Sequence, residues 1–548
     1  MIFLNLNKNI YIFLFFLIFF LIGIYIVSDY GISIDEDKTR AVGFVSLQYI
    51  LKNFFPEHLD KLNKLFDQES FNNFGMMTTS AGVVTSGITF NLPMAIIELI
   101  FEIKDSREIF LLRHFSTFLL FFISVYFFYL IIKNRYNSWF LGIVGALFLI
   151  ISPRIFAESF YNNKDLVFMS LFIINLFVAI KFLEKKNFKY TILFALMSAL
   201  TINVRIFGII LPTLVFIIYL INILRKENIR KKITKPLVWC LILTLFFVIL
   251  FWPYLWQNPL KNFLHALESL SGHGHHIYNF YLGEHFIRSL SPWHYHLVWI
   301  FLTTPVLYIV LFVSGFIFII RRALKRLFKI ENSNSYKDLW RGKKELQDLL
   351  FLLTFLIPII AAIDFRSVSY DGWRHLYFIY PSFLLIAMFA VHLIKIIFFK
   401  KKNYFLYILI LILILPTGIW MYKNHPFQYV YFNFLAGKNF NEKFEMDYLG
   451  VSNKSALEYI ISKESKKIKV YNLNTTDLYV SKKILRKKDR SKIIIVDDIN
   501  NADYITNNFT DWRGEIKPTN FIKPENFNII HEIKVDDITI NTIYKKKQ

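Results

Sequence analysis

Cysteine is almost missing: Cys240 is the single one in 548 residues, and it lies inside an apolar block. An intrachain disulfide and a metal cluster built on cysteine are therefore excluded. No segment repeats, and no low-complexity stretch divides the chain. The first apolar run, IYIFLFFLIFFLIGIYIV, lacks a small-residue cleavage site and is too long for the core of a secretory signal. It reads as a retained first span. Acidic residues are outnumbered, 40 Asp and Glu against 63 Lys and Arg, for a formal net charge of +23. In a soluble chain that excess would suggest nucleic acid. Here the basic residues fall between apolar blocks, which points to membrane topology and to no nucleic-acid partner.

What the chain has in plenty is hydrocarbon. It is 55% hydrophobic with 61 Phe, its mean hydropathy is +0.43, and the apolar residues come in long blocks. The class is a polytopic α-helical membrane protein, since a span needs roughly 20 apolar residues. The blocks predict about eleven spans, near residues 9–28, 110–132, 138–153, 165–183, 188–203, 206–224, 236–253, 296–320, 347–364, 374–399 and 403–422. With a cytoplasmic N-terminus, the basic segments KNRY, KFLEKKNFK, RKENIRKKITK, RRALKRLFKIENSNSYKDLWRGKK and KIIFFKKK all face inward. Residues 82–103 would reverse that assignment if they crossed. Pro93, Glu98 and Glu102 argue against a crossing, so this segment is expected to lie at the interface as an amphipathic helix.

Two regions follow from this topology. Residues 1–423 form the membrane domain, with 29–109 as its first extracytoplasmic loop, and residues 424–548 lie outside. The tail reads as a small α/β domain. SNKSALEYIISKESKKIKVYNL is a helix running into a strand, SKIIIVDD is a buried strand, and FNIIHEIKVDDITINTIYKK alternates like a hairpin.

Chemically able residues collect at the outer face. SDYGISIDEDKTRAVG brings Asp35, Glu36 and Asp37; SPRIFAESFYNNKD brings Arg154, Glu158, Lys164 and Asp165; TINVRIFG brings Arg205. DFRSVSYDGWRHLYF adds Asp371, Trp373, Arg374 and His375. The spans themselves are nearly free of charge, which disfavours a pump or channel. SGHGHHIY places His273, His275 and His276 within four residues as candidate ligands of a divalent cation. Zinc wants three or four well-spaced ligands with a supporting shell, and nothing here fixes that spacing. A loop closing over substrate is the preferred reading. Trp252, Trp256 and Trp293 read as residues of an interfacial aromatic belt.

The layout resembles the C-type (GT-C) glycosyltransferase superfamily, in particular its protein O-mannosyltransferase and aminoarabinose transferase branch, glycosyltransferase family 39 and relatives. DEDKTR after the first span, SPRIFAESFYNNKD after the third and YDGWRHLYFIYP entering the tenth carry the likeness. In the tail, NHPFQYVYFN and FEMDYLGVSNKSALEYI look like bacterial mannosyltransferase-like members. The resemblance implies a bacterial inner-membrane enzyme. It would move a sugar, with inversion, from a polyprenyl-phosphate donor to a protein, lipid or glycan acceptor outside. Some relatives use a divalent cation.

Such a transfer needs a base for the acceptor hydroxyl and fixed cations for the departing phosphate. Asp35 matches the family's first-loop acid and is the expected base, with Glu36 as the near alternative. Asp37 and Arg40 are expected to pair locally. Arg374 and His375 are the first candidates for the phosphate, since Arg keeps its charge and binds oxygens bidentately. Arg154 and Arg205 are the second. Asp165, resembling the family's second-loop acid, is expected to orient the sugar or hold Arg154, with Lys164, Asp371 and Trp373 beside it. Asp447 in the tail is expected within reach of the site. The rival reading is non-catalytic, a transporter or a scaffold that binds polyprenyl lipid; for it the two carboxylates would not matter.

Overall fold

Backbone groups facing lipid have no water to bond, so apolar runs satisfy them internally as helices. The computed structural model describes residues 8–66, 84, 87–185, 187–225, 230–271, 277–328, 340–365, 368–399 and 403–547. Among these, seven helices are long and apolar enough to cross a membrane. They are Lys8–Ile26 (α1), Ser106–Tyr136, Asp165–Lys185, Val306–Arg326, Gly342–Asp364, Arg374–Phe398 and Tyr404–Lys423. The pair Trp139–Ile150 and Pro153–Tyr161, bent by 71°, makes an eighth if it counts as one span.

The expected eleven are therefore not all met by length and composition. Three predicted stretches form shorter apolar helices, Phe188–Val204, Ile206–Ile221 and Lys235–Leu250. At 1.5 Å per residue, a 17-residue helix reaches only about 25 Å, short of the roughly 30 Å of a hydrocarbon core. The break after Val204 has a cause: Arg205 leaves the helix in extended backbone and turns into a charge cluster. That boundary was expected, but the span expected at 296–320 is divided, into Tyr295–Thr303 and Val306–Phe328. Pro305 lies between them and pushes Thr304 into extended backbone.

Burial orders these helices. Asp165–Lys185 is the axis of the bundle, with 83% of its apolar window inside the protein, against 17% for α1. The exposed Leu, Ile and Phe of α1 and of the helix Asn403–Lys423 are the surface left for lipid.

Outside the bundle, the acidic stretch is not a loop. Ser33 caps a helix, Ile34–Phe54 (α2): its hydroxyl accepts from the Asp35 amide, and Glu36 accepts from the Ser33 amide at 2.8 Å. This capping box places Asp35, Glu36 and Asp37 in the first turn, where the helix dipole favours negative charge. The helix Asn91–Phe101 packs across α2, so closely that a Cβ on Gly43 would lie 2.4 Å from the Asn91 carbonyl oxygen. It buries Met94, Ala95, Glu98 and Leu99 and exposes Ile96, Ile100 and Phe101. Eleven residues of helix, about 16 Å, are too short to cross, and the helix has one packed and one exposed face.

The tail folds as a five-stranded sheet in the order β4-β3-β5-β7-β6. The strands are β3 (Ile468–Asn472), β4 (Ile493–Val496), β5 (Tyr504–Asn507), β6 (Phe527–Val535) and β7 (Ile538–Lys546). β3 runs parallel to both β4 and β5, and β6–β7 is an antiparallel hairpin. The helix Asn453–Lys463 packs on this sheet. A short hairpin, β1 (Tyr278–Tyr281) and β2 (Glu284–Ile287), belongs to the loop before Tyr295.

Candidate active site

Three separate chain segments deliver the centre of one charge cluster. The first turn of α2 presents Asp35. SPRIFAESFYNNKD forms the helix Pro153–Tyr161 and a polar turn, where the Asn162 side-chain oxygen accepts the Asp165 amide at 2.8 Å and so starts the next helix. YDGWRH turns through left-handed backbone at Asp371 and Gly372, with φ of 56° and 72°. Glycine supplies one of those positions without strain, and the turn brings Asp371 and Arg374 to the same side.

Arg374 is the hub. Its Nη1 donates to Asp35 Oδ2 at 2.7 Å and to Asp165 Oδ2 at 3.1 Å, and its Nη2 donates to Asp371 Oδ2 at 2.7 Å. Arg205 pairs with the other oxygen of Asp165, and Arg288 donates to the other oxygen of Asp371 at 3.2 Å. Arg374 and Arg288 also lie over the Tyr370 ring. The result is an alternating chain, Arg205–Asp165–Arg374–Asp371–Arg288, with Asp35 as a branch.

The branch is the open end. Asp165 and Asp371 keep 1% and 3% of their side-chain surface, whereas Asp35 keeps 34%. Burial alone would push the Asp35 carboxyl up, but the Arg374 guanidinium, with Lys38 and Lys164 beyond it, holds it at about 2. It is ionised throughout the neutral range. Lys164 moves the other way: burial and the nearby Arg205 bring its ammonium down to about 8, against the pull of Asp165 and Asp35.

Glu36, the alternative base, is turned away. It is 1% exposed, holds the capping box, and sits 3.1 Å from His114 Nε2. Its carboxyl is raised by burial, with His114 acting in the opposite direction. Nor do Asp37 and Arg40 pair with each other. Asp37 binds Lys483 through both oxygens, at 2.9 and 2.8 Å, and Arg40 reaches Glu98, which also takes Arg113. Residues near in sequence part here because successive positions on a helix face different neighbours.

A second polar group lies beside the first. Arg154 donates to the Tyr448 hydroxyl at 2.7 Å and lies against the rings of Trp299, Phe432 and Tyr448. Its Nε and second Nη find no hydrogen-bond partner among the described residues. Asp165 does not hold Arg154. Glu158 does the neighbouring work, accepting from Tyr377 at 2.5 Å and Asn162 at 2.7 Å. His375 stands edge-on to Tyr370, with Nε2 unpartnered among the described residues. Trp373 is buried and donates to Thr303 at 2.8 Å, so its role is to fix the turn. Trp252, expected in the aromatic belt, is likewise buried.

Asp447 is internal to the tail, accepting from Tyr429, Ser452 and Asn508. Its neighbour Tyr448 is the residue that enters the site. Sequence reading passed over Tyr448, Arg288 and Glu445. Arg288 sits in the loop before Tyr295, and its pairing with Asp371 has no local signature. Glu445 is buried, and burial followed by repulsion from Asp371 pushes its carboxyl up to about 8. His273, His275 and His276 lie outside the described residues. Among the described residues no group of three or more His, Cys, Asp or Glu is placed to hold a metal ion.

Residues 92–256 match the model of a family described as dolichyl-phosphate-mannose-protein mannosyltransferase. The resemblance read from the sequence holds. This mannosyltransferase-like segment contains Arg154, Glu158, Lys164, Asp165 and Arg205, while Asp35 and the turn at 370–375 lie on either side of it. Two solved structures are similar in extent. ArnT from Cupriavidus metallidurans in the apo state is 11% identical, with a TM-score of 0.46, over 91% of this chain and 93% of that one. The same protein bound to undecaprenyl phosphate is 9% identical, with a TM-score of 0.42, over 98% of each chain. Likenesses this loose carry no residue correspondence. No curated protein matches the chain.

Proposed function

We propose that this protein is an inverting membrane glycosyltransferase. It takes a sugar from a polyprenyl-phosphate donor and passes it to an acceptor on the extracytoplasmic side, with Asp35 as the base. Residues 1–423 are the catalytic membrane domain and residues 424–548 an extracytoplasmic domain. The chain is placed in a bacterial inner membrane with its N-terminus in the cytoplasm, in accord with the basic loops.

The observation that carries this reading is the open Asp35 carboxylate 2.7 Å from a buried arginine that also holds Asp165 and Asp371. The family description of the segment 92–256 names a polyprenyl-type phosphate sugar as donor, and a leaving phosphate needs fixed cations. Arg374, Arg205 and Lys164 are those cations, all within the electrostatic surroundings of Asp35 or its partners. The acceptor hydroxyl gives its proton to Asp35 as its oxygen bonds to the anomeric carbon. The bond from that carbon to the phosphate oxygen breaks on the opposite face, and the electron pair leaves with the lipid phosphate. A donor phosphate competing with Asp35 for Arg374 would also release the carboxylate and make it a stronger base.

The test is mass spectrometry of lipid-linked sugars and envelope glycans in cells carrying wild-type protein or Asp35→Asn at equal membrane levels. Accumulation of one polyprenyl-phosphate sugar together with loss of one glycan residue is expected. Unchanged pools would refute the reading.

A further inference from the structure

The tail grips the stretch that carries Asp35. Lys454 Nζ donates to the carbonyls of Ser28 and Asp29, at 2.7 and 2.9 Å. The Ile34 amide, one of the first-turn donors that a helix leaves unpaired, donates to the Leu449 carbonyl at 3.2 Å. Lys483 closes on Asp37 from the other side, with side chains only 10% and 9% exposed. Between these anchors the fit is tight: a Cβ on Gly31 would lie 2.4 Å from the Val451 carbonyl oxygen. Asp35 is therefore bracketed, one residue after one anchor and two before the next, by groups more than 400 positions away in the chain.

We propose that the C-terminal domain is a positioning element for the transfer step, with Lys483 and Lys454 as its positioning residues: it fixes the first turn of α2 so that Asp35 meets Arg374. This rests on the proposed function. The geometric reason is leverage, since a misplacement of about 1 Å in a reacting group costs on the order of 10²-fold in rate. Among the described residues, the Ile34 amide and the Asp37 carboxylate take their hydrogen-bond partners from the tail, while Glu36 between them is held by His114 of the bundle. Among the described residues, Lys483 and Lys454 pair with Asp37 and with Ser28, Asp29 and Glu458 and with no arginine or aspartate of the cluster, so they act through α2 and are not catalytic residues.

The experiment uses the full chain, purified, with donor lipid extracted from cells carrying Asp35→Asn. Lys483→Met, Lys483→Arg and the double change Asp37→Asn with Lys483→Met are compared with wild type for kcat, donor KM and hydrogen exchange over residues 28–40. Lys483→Met is expected to lower kcat at least tenfold with donor KM within twofold. Exchange over 28–40 should quicken, while β5 and β7 stay protected. Lys483→Arg should restore most of the rate, because it keeps the charge on Asp37. The double change leaves no buried lone charge and should show the same loss of kcat, so a failure of Lys483→Met to fold does not end the test. Quickened exchange with kcat within twofold of wild type would overturn the positioning role, as would unchanged exchange in both Met variants. A wild-type protein that transfers no sugar from any extracted donor would instead overturn the proposed function beneath it.

Discussion

Asp35 and Glu36 are adjacent, both acidic and both in the first turn of α2, yet their substitution should have opposite signatures. Asp35→Asn removes the charge that would take the acceptor proton. Loss of a general base costs roughly 10²–10⁴ in rate, or about 3–5 kcal/mol of activation free energy at 1.36 kcal/mol per decade. Its effect on stability should be small, within about 1 kcal/mol, because the carboxylate is a third open and such pairs are weakly stabilising. Arg374 also keeps Asp165 and Asp371. Glu36→Gln keeps a side chain able to close the capping box but takes the charge from a fully buried partner of His114. A cost of about 1–2 kcal/mol in stability is expected, with the rate per folded molecule within threefold. The assay is paired: thermal unfolding in detergent and sugar transfer on the same preparations. Should Asp35→Asn keep more than a tenth of the wild-type rate while Glu36→Gln loses transfer, the base has been placed on the wrong carboxylate.

Three other outcomes are expected. Lys164 loses its proton as pH rises past about 8, so donor KM should climb above that pH; Lys164→Arg should stay flat to pH 9, and an unchanged wild-type KM between pH 7 and 9 would remove Lys164 from phosphate binding. Glu445, pushed up to about 8 by burial and by Asp371, binds its proton more tightly folded than unfolded. The native state therefore loses stability as pH rises from about 4.5 to 8. Glu445→Gln should have the higher Tm at pH 8 and lose that advantage at pH 5; a gap independent of pH would contradict the assignment. Glu98 is fully buried between Arg40 and Arg113. Glu98→Leu takes a shared carboxylate from two buried arginines and should cost about 3–5 kcal/mol, read as a fall in Tm or in folded yield; wild-type stability would show that the trio is dispensable.

Much of this was legible beforehand, for a physical reason. Lipid forces long apolar runs into helices, so hydropathy announces the membrane class directly, and the alternation of FNIIHEIKVDDITINTIYKK announced the β6–β7 hairpin. Length thresholds were less decisive. Pro305 broke a run, 296–320, that a sliding count of apolar residues had joined. The family likeness was carried by three short motifs, two of which fall outside the segment 92–256 that the family model matches.

From the sequence alone came the composition of the site: acids and arginines gathered at the ends of the predicted spans, and the expectation that Asp35 and Arg374 matter. What it did not determine is which acid meets which base. Charges are chosen by proximity in space, and α2 sends Asp35 to Arg374, Glu36 to His114 and Asp37 to Lys483 although they are consecutive. A helix turns by about 100° per residue, so consecutive side chains must find partners from different parts of the chain. Only the packing of the bundle and the tail around that first turn decided what those partners are.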